Sequence, residues 1–343
     1  MTRTKGVGSL TRRAGFVAVA ALAITALAGC SALGGSDSGS SGGNGQVEKA
    51  KIKVAVIPGL IDIAGYKRAQ AAGYFKAEGL DVEDVSIKTG ADAPPLLINK
   101  SVDFAFGNWT SALGAQAKGT YSKVGGEVAV ADALTATEGM TALVALPSSN
   151  IKSPKDLKGK KIGVNALKSN VTLTSDAVLA ANGLQSSDVT YTKVPTADAL
   201  NALTNHLVDV MSLQEPNLTQ AKQKLGVVTV ADRATGPVAN FPVSGYVSTG
   251  DFVKANPKTV AAFQRAVAKG QADMTNRQTL EDTLLQYTPI DKSVAKLVVA
   301  GVFPTVVDKT RLQRLADLML TYKIIDNKLD VSPMFVAAPA QGQ

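Results

Sequence analysis

Residues 51–88 read KIKVAVIPGLIDIAGYKRAQAAGYFKAEGLDVEDVSIK, and this stretch decides the fold class. The β-branched run over 52–57 ends at a Pro-Gly pair, which predicts a strand followed by a turn. The pattern predicts a helix over 66–77, with Gly79 placed to cap it in the left-handed conformation. A second strand is predicted over 81–88. A strand, a helix and a strand in this order indicate a layered α/β fold.

The same alternation of strands and helices continues toward the C-terminus. Short apolar runs predict strands at 102–106, 127–131, 141–145, 161–165, 188–194, 208–211, 227–230 and 244–248. Helical spacing and capping residues predict helices at 93–98, 172–181, after Thr196, after Asn256 and at 311–322. The whole region is therefore expected to be α/β.

Composition excludes several classes of protein. The chain has 343 residues, of which 45% are hydrophobic and 19% charged, so global disorder is excluded. Half of the net charge of +8 comes from residues 1–29, and the weak remainder forms no basic stripe, which argues against nucleic-acid binding. One Cys and one His exclude internal disulfides, Cys-based zinc sites and most His-dependent catalytic pairs. No metal site, cofactor or catalytic residue is predicted.

The N-terminus has the pattern of a lipoprotein signal peptide. Residues 1–13 are basic, and the apolar run over 16–28 is shorter than the roughly 20 residues that a membrane-spanning helix needs. The run ends in Leu-Ala-Gly-Cys, a bacterial lipobox, whose Cys30 is the only cysteine of the chain. This predicts cleavage of residues 1–29 and attachment of lipid, including palmitate, to Cys30. The alternative is an ordinary signal peptide with a coincidental cysteine.

Residues 30–49 are predicted to be the lipidated cysteine and a tether. Eleven of the 16 residues from Ser31 to Gln46 are Gly or Ser, a composition that behaves as a flexible linker. The protein is thus expected to be lipid-anchored at the extracytoplasmic face of the cell membrane. The pair Arg12-Arg13 leaves general and twin-arginine export both open.

The segment GYFKAEGLDV at 73–82 resembles a signature of the substrate-binding lipoproteins of ABC importers. The subfamily that it resembles binds nitrate, taurine, alkanesulfonates or the pyrimidine precursor of thiamine. Two turns depart from the family pattern, because Lys100 and His206 stand where these proteins often have glycine. The resemblance spans about residues 50–335, with further matches at 157–164, 188–189, 199–200, 208–209, 215–216 and 312–317.

The resemblance implies a two-lobe periplasmic-binding-protein fold of type II, with two crossover strands between the lobes. Lobe 1 would comprise 50–144 plus 243–343, and lobe 2 would comprise 145–242. The crossings would lie at 141–147 and 241–248. The ligand would bind in the cleft, at the carboxyl ends of strands and the N-termini of helices.

The candidate ligand-binding residues follow from this placement of the cleft, and each has a structural alternative. The only tryptophan could stack on a ligand or belong to the core. Hydroxyl and amide groups around the helix that begins near Asn170 suit an anion or are a plain helix cap. Two carboxylates could pair with a ligand amine or hold a turn. The full set is Asp62, Asn108, Trp109, Thr110, Asn165, Ser169, Asn170, Thr172 and Glu215.

The candidate loops contain no arginine, so they offer no bidentate clamp for a carboxylate or phosphate. This favours a neutral or zwitterionic ligand, or an anion held by helix ends, unless Arg233 of lobe 2 reaches the edge of the cleft.

Three function classes remain. The first is a monomeric solute-binding lipoprotein that captures a sulfonate, taurine, nitrate or a similar small molecule and delivers it to an ABC transporter permease. The second is an enzyme of the same fold, which the lipobox and the shortage of Cys and His disfavour. The third is a ligand sensor or adhesion module that does not transport. The first is the expectation, and the chain is expected not to be an enzyme.

Overall fold

The computed structural model describes residues 46–335, which form two five-stranded sheets with helices. The predicted signal peptide, the predicted lipidation at Cys30 and most of the tether lie outside these residues. Within 46–335 the strands are β1 Lys51–Val56, β2 Asp81–Ser86, β3 Phe104–Asn108, β4 Glu127–Thr135, β5 Thr141–Ala145, β6 Lys161–Val164, β7 Thr190–Lys193, β8 Val210–Gln214, β9 Val228–Asp232 and β10 Pro242–Thr249.

The α-helices of the described region alternate with the strands up to β10 and then follow one another. They are α1 Ala64–Ala71, α2 Tyr74–Ala77, α3 Ala93–Ile98, α4 Trp109–Ala117, α5 Asn170–Ala181, α6 Ala199–Thr204, α7 Asn217–Leu225, α8 Gly250–Ala255, α9 Pro257–Asp273, α10 Arg277–Tyr287, α11 Lys292–Leu297 and α12 Lys309–Thr321. The predicted α/β class is confirmed. Helices α4, α7, α8, α10 and α11 were not predicted from the sequence.

The first sheet has the strand order β2-β1-β3-β10-β4. Strands β2, β1 and β3 are parallel, whereas β10 runs antiparallel to both of its neighbours. Buried side chains pack on both faces, one cluster around Phe263 and another around Trp109 and Leu315. Burial on both faces explains why all nine residues of β4 are buried rather than every second one. This sheet and its helices are called lobe 1 below.

The second sheet repeats the plan with the order β7-β6-β8-β5-β9. Strands β7, β6 and β8 are parallel, and β5 runs antiparallel between β8 and β9. Two apolar clusters, one containing Leu213 and one containing Ile162, accompany it. This sheet and its helices are called lobe 2.

The chain passes twice between the two sheets. The connecting residues are 136–140, after β4, and 233–241, after β9. Both lie ahead of the crossings expected at 141–147 and 241–248, because Thr141 already pairs with Gln214 in the second sheet and Pro242 with Thr135 in the first. The boundary expected between 144 and 145 therefore falls inside β5.

The carboxyl ends of the parallel strands of the two lobes face each other. Asp62 lies in the segment after β1, and Gln214 is the last residue of β8. The Gln214 side-chain amide donates a hydrogen bond to Asp62 Oδ1 at 2.8 Å. This contact places the interlobe cleft between the two carboxyl edges, which is where open α/β sheets bind ligands.

Two turns that depart from the family pattern adopt the left-handed conformation. Lys100 has φ of 63° and His206 has φ of 56°. Positive φ is the region that glycine occupies without steric cost, whereas other residues are disfavoured there. The turns therefore keep the backbone geometry of a glycine turn without a glycine.

Helices α1 and α9 cross at two glycines. A Cβ atom built on Gly270 would lie 2.0 Å from the Gly65 carbonyl oxygen, and one on Gly65 would lie 2.0 Å from Gln271 Oε1. A Cβ at Gly270 would meet backbone, and one at Gly65 would have to displace the Gln271 side chain, so these glycines allow the helices to approach closely. Within 46–335, no helix combines the length and apolarity needed to cross a membrane.

Candidate functional site

The contact between the carboxyl edges of the two lobes includes Asp62, which is only 3% exposed. Its Oδ2 accepts a hydrogen bond from Ser244 Oγ of β10 at 2.7 Å, and its Oδ1 accepts the one from Gln214. Burial raises the pKa of Asp62, although these two hydrogen bonds oppose the rise. Asp62 thus joins the first strand-to-helix segment of lobe 1 to the last residue of β8 in lobe 2.

Helix α4 brings a second part of lobe 1 to the same edge. Asn108 ends β3 and caps the helix, because its side-chain oxygen accepts a hydrogen bond from the Ser111 backbone N–H at 2.8 Å. Thr110, in the first turn, is 1% exposed, and its hydroxyl has no hydrogen-bond partner in the structure. An unpaired buried hydroxyl is costly, so an added hydrogen-bond partner would stabilise this part of the lobe.

Trp109 does not lie where a ligand could stack on it. The indole is fully buried, and Nε1–H donates a hydrogen bond to Asp132 Oδ1 at 3.0 Å. A Cβ at Gly245 would come within 2.0 Å of the indole ring, so β10 leaves room for the ring only because residue 245 is glycine. This packing corrects the stacking expectation in favour of its alternative, a core tryptophan.

The Asp132 carboxyl below Trp109 is itself buried. Burial raises its pKa to about 7, opposed by the Trp109 hydrogen bond and by the charge of Arg311. The Arg311 guanidinium lies 3.8 Å from Asp132 and donates to Thr135 Oγ1 at 2.8 Å, next to the first connection between the lobes. Trp109 is thus connected to the hinge region rather than to open cleft.

The N-terminus of α5 contributes four predicted residues that divide into two pairs. Ser169 and Thr172 are buried and form a capping box, in which the Ser169 N–H donates to Thr172 Oγ1 at 3.0 Å. Their hydroxyls serve the helix end, which is the alternative given for them. Asn165 is exposed and Asn170 half-buried, so their amides remain accessible at the lobe 2 rim.

Glu215 follows β8 and is 2% exposed. Its Oε1 accepts from Thr219 Oγ1 at 2.8 Å and from the Val299 N–H at 3.3 Å, while Oε2 accepts from the Thr219 N–H at 3.1 Å. Burial raises the pKa of Glu215 above its usual value. The carboxylate holds the start of α7 and the segment of 299, as the turn alternative predicts.

The sequence analysis did not name Ser244 or Gln214 as site residues, and it left the position of Arg233 open. Ser244 and Gln214 complete the coordination of Asp62, but a serine inside a strand and a glutamine at its end carry no signal until the strand faces are known. Ser212, two residues before Gln214 and on the same face of β8, has a buried hydroxyl without a partner. Arg233, which the sequence left open for the cleft edge, directly follows β9 and is buried, and its guanidinium donates to Thr174 and Leu213 of lobe 2.

The structure therefore brings Asp62 together with Gln214 and Ser244 and leaves Thr110 unpaired. It assigns Trp109, Ser169, Thr172 and Glu215 to packing and capping. No group of three or more His, Cys, Asp or Glu side chains that could hold a metal ion occurs within 46–335.

Two mixed sheets joined by two connections, with a cleft between their carboxyl edges, define the type II periplasmic-binding-protein fold. The model of the NMT1/THI5-like family matches residues 61–279. This is more than half of the chain, which therefore belongs to that family.

Relatives and solved structures agree with this assignment. A putative aliphatic sulfonates-binding protein of Bacillus subtilis is 27% identical over 317 residues, covering 89% of each chain. The alkanesulfonate-binding protein SsuA from Xanthomonas axonopodis pv. citri, solved with bound MOPS, has a TM-score of 0.70 at 17% identity and covers 84% of this chain and 99% of its own. At that identity the likeness shows the fold.

The family also contains an enzyme. The 4-amino-5-hydroxymethyl-2-methylpyrimidine phosphate synthase of Schizosaccharomyces pombe is 23% identical over 216 residues. The match covers 60% of this chain and 60% of the synthase. Family membership alone therefore does not distinguish a binding protein from an enzyme. The residues of the site have to make that distinction.

Proposed function

We propose that this protein is an extracytoplasmic solute-binding lipoprotein of an ABC importer. It captures a sulfonate, taurine, nitrate or a similar small molecule in the interlobe cleft and delivers it to the transporter permease. The observation that carries the proposal is the Asp62–Gln214 hydrogen bond between the carboxyl edges of the two sheets. Polar groups buried between two lobes, some without partners, are what a ligand-binding cleft needs.

The relatives support the ligand class. The Bacillus protein is described as sulfonate-binding, and the Xanthomonas structure contains MOPS, itself a sulfonate. Accessible groups for such a ligand are the amides of Asn165 and Asn170, whereas the Thr110 hydroxyl, next to Asn108 at the start of α4, is buried and would have to become exposed to contact the ligand. Asp62 and Gln214 would have to exchange their mutual hydrogen bond for bonds to the ligand.

We place the lobe boundaries where the strand pairing changes from one sheet to the other. Lobe 1 comprises about 46–140 and 242–335, and lobe 2 comprises about 141–241. A hinge at the two connections lets the lobes close on a ligand, a common response of such folds.

A thermal-shift screen tests ligand capture. The compounds are alkanesulfonates, taurine, nitrate, thiamine precursors and aromatic carboxylates. A ligand at 100 times its dissociation constant stabilises the native state by about 2.7 kcal/mol, which raises the melting temperature by several degrees. No shift with any compound would contradict the proposed ligand class.

Lipid anchoring is tested with Cys30→Ser. The lipobox predicts that the wild-type protein incorporates labelled palmitate and sediments with membranes. The variant is expected to lose the label and to leave the membrane fraction. A wild-type protein without label would contradict anchoring through Cys30.

The enzyme alternative has the synthase relative in its favour. Incubating the protein with a compound found in the thermal-shift screen distinguishes an enzyme from a binding protein, because a binding protein returns its ligand chemically unchanged. Recovery of an altered compound would support catalysis. A non-transporting sensor would bind the ligand equally well, but would fail to restore uptake when added back to cells that contain the permease and lack this protein.

A further inference from the structure

Arg233 of lobe 2 contacts Leu213, the residue before Gln214 at the contact between the lobes. It directly follows β9, and only 4% of the residue is exposed. Its Nη1 donates to Thr174 Oγ1 of α5 at 2.7 Å, and its Nη2 donates to the Leu213 carbonyl oxygen at 3.2 Å. Nε is buried and has no hydrogen-bond partner. The guanidinium therefore has a free donor in a dry environment.

No carboxylate lies within ion-pair distance of this guanidinium in the described residues. Within 46–335, no Asp or Glu oxygen forms an ion pair with Arg233. The neighbouring Asp232 raises the pKa of Arg233 through its charge, but its oxygens accept hydrogen bonds from the Gly139 and Ala234 N–H groups rather than from the guanidinium. Burial lowers the pKa of Arg233 to about 10, so the side chain stays charged at neutral pH. Burying a charge without an ion-pair partner is unfavourable, so an additional acceptor would stabilise the side chain.

The unpaired charge lies next to the contact between the lobes. Arg233 bonds the Leu213 carbonyl, and the next residue, Gln214, bonds Asp62 across the cleft. Asp62 forms no ion pair with the guanidinium, and its burial favours the neutral acid. Lobe 2 therefore places a buried guanidinium with an unpartnered Nε–H beside the contact between the lobes.

We propose that Arg233 is the specificity-determining residue of the cleft and supplies the counter-charge for an anionic ligand head. This inference rests on the proposed function and narrows it, because neutral compounds of the same shape leave the guanidinium unpaired and are rejected. An acidic oxygen that accepts from Nε completes the hydrogen bonding of the side chain, as charge-assisted bonds to arginine do elsewhere.

Three pairs of compounds distinguish recognition of ligand charge from recognition of ligand shape, because the members of each pair have a similar shape and differ in charge. They are butanesulfonate with butyl methyl sulfone, taurine with 2-aminoethyl methyl sulfone, and nitrate with nitromethane, each measured by calorimetry. The wild-type protein is expected to bind at least one anion ten-fold or more tighter than its neutral partner. Arg233→Met is expected to weaken that anion 30-fold or more and to leave the neutral partner unchanged.

Thermal unfolding without ligand separates recognition from packing. Because Arg233→Met removes a buried unpaired charge, the variant is expected to melt at or above the wild-type temperature. Arg233→Lys keeps the charge and is expected to lose less affinity than Arg233→Met. The control is Arg265→Met, which removes a partly exposed ion pair of lobe 1 with Glu78 and should preserve the preference for the anion.

Each outcome decides the inference. An anion preference that survives in Arg233→Met, or a variant that melts lower and loses both members of a pair equally, overturns it. Wild-type protein that prefers the neutral compounds also overturns it but leaves the proposed function standing, whereas binding of none of the six overturns both. If Arg233→Met does not fold, Arg233→Gln repeats the test, and failure of both to fold assigns Arg233 to structure alone.

Discussion

At the scale of single residues, Lys100 and His206 hold backbone geometry that suits glycine. Both have positive φ, and both precede a strand through a short turn. A left-handed conformation costs an L-residue about 1–2 kcal/mol, while glycine gives up roughly 0.5–1 kcal/mol of backbone entropy on folding. The two turns are therefore less stable than the same turns with glycine would be.

Lys100→Gly is expected to stabilise the protein by about 0.5–1 kcal/mol, because glycine adopts the left-handed turn without strain. Denaturant unfolding measures the gain. The control is Lys118→Gly, at an exposed position where φ is −85°, which should lower stability. A loss of stability in Lys100→Gly would contradict the argument.

The buried carboxyl group of Asp132 makes the stability of the folded protein depend on pH. Its pKa is about 7 in the folded protein, against about 3.9 in an unfolded chain. The folded state therefore binds this proton more tightly. The resulting stabilisation is complete below the unfolded pKa and is lost as the pH rises through about 7.

Asp132→Asn is expected to flatten the pH dependence of stability between pH 4 and 8. The three-unit difference in pKa corresponds to at most about 4 kcal/mol. The amide oxygen can still accept the Trp109 Nε1 hydrogen bond. Urea unfolding at pH 4, 6 and 8 gives the two slopes, and parallel slopes for variant and wild-type protein would show that Asp132 does not titrate in this range.

At the scale of elements, the approach of α1 and α9 depends on the absence of two side chains. Gly270 contacts the Gly65 backbone so closely that no Cβ fits. Gly114 in α4 is different, since an added Cβ would meet only Met319 Cε at 4.0 Å, an ordinary contact. Packing therefore requires a glycine at position 270 but not at position 114.

Gly270→Ala is expected to lower stability by about 2–3 kcal/mol, because the methyl group forces the helices apart. The matched Gly114→Ala is expected to raise stability by up to about 1 kcal/mol, since alanine favours a helix and the space is free. Both are measured by denaturant unfolding. Equal effects of the two substitutions would contradict the close-packing account.

The sequence predicted the strand–helix alternation because buried β-branched runs are visible without a structure. Helix α4 was not predicted because its small and polar residues after Trp109 give no apolar stripe. Trp109 could not be assigned, since its burial depends on Gly245, more than 130 residues away in sequence. Asp62 was found from its place after a strand, whereas its partners became visible only once β8 and β10 were oriented.

At the scale of the whole molecule, the two lobes are held by few polar contacts and one apolar cluster. Leu173 of α5 belongs to the same buried cluster as Leu113 of α4, so the lobes touch in this structure. Asp62–Gln214 is the polar contact that lies directly between the strand edges. Its removal should favour the open arrangement.

Gln214→Ala is expected to increase the radius of gyration of the ligand-free protein, because the lobes lose this hydrogen bond. Small-angle scattering measures the change. Gln278→Ala serves as control, since Gln278 bonds Asp282 on the exposed face of α10. A radius that is identical in all three proteins would show that Asp62–Gln214 does not hold the lobes together.

The position of β10 in the first sheet has a consequence for biosynthesis. This strand lies between β3 and β4, yet it is made after the entire second sheet. At about 10 residues per second, roughly ten seconds separate the synthesis of β4 from that of its partner. During that interval lobe 1 lacks a central strand and cannot complete its core, whereas lobe 2 is one uninterrupted segment. Lobe 1 therefore stays incomplete until β10 and the helices after it have been made, because α9 and α12 also contribute to its core.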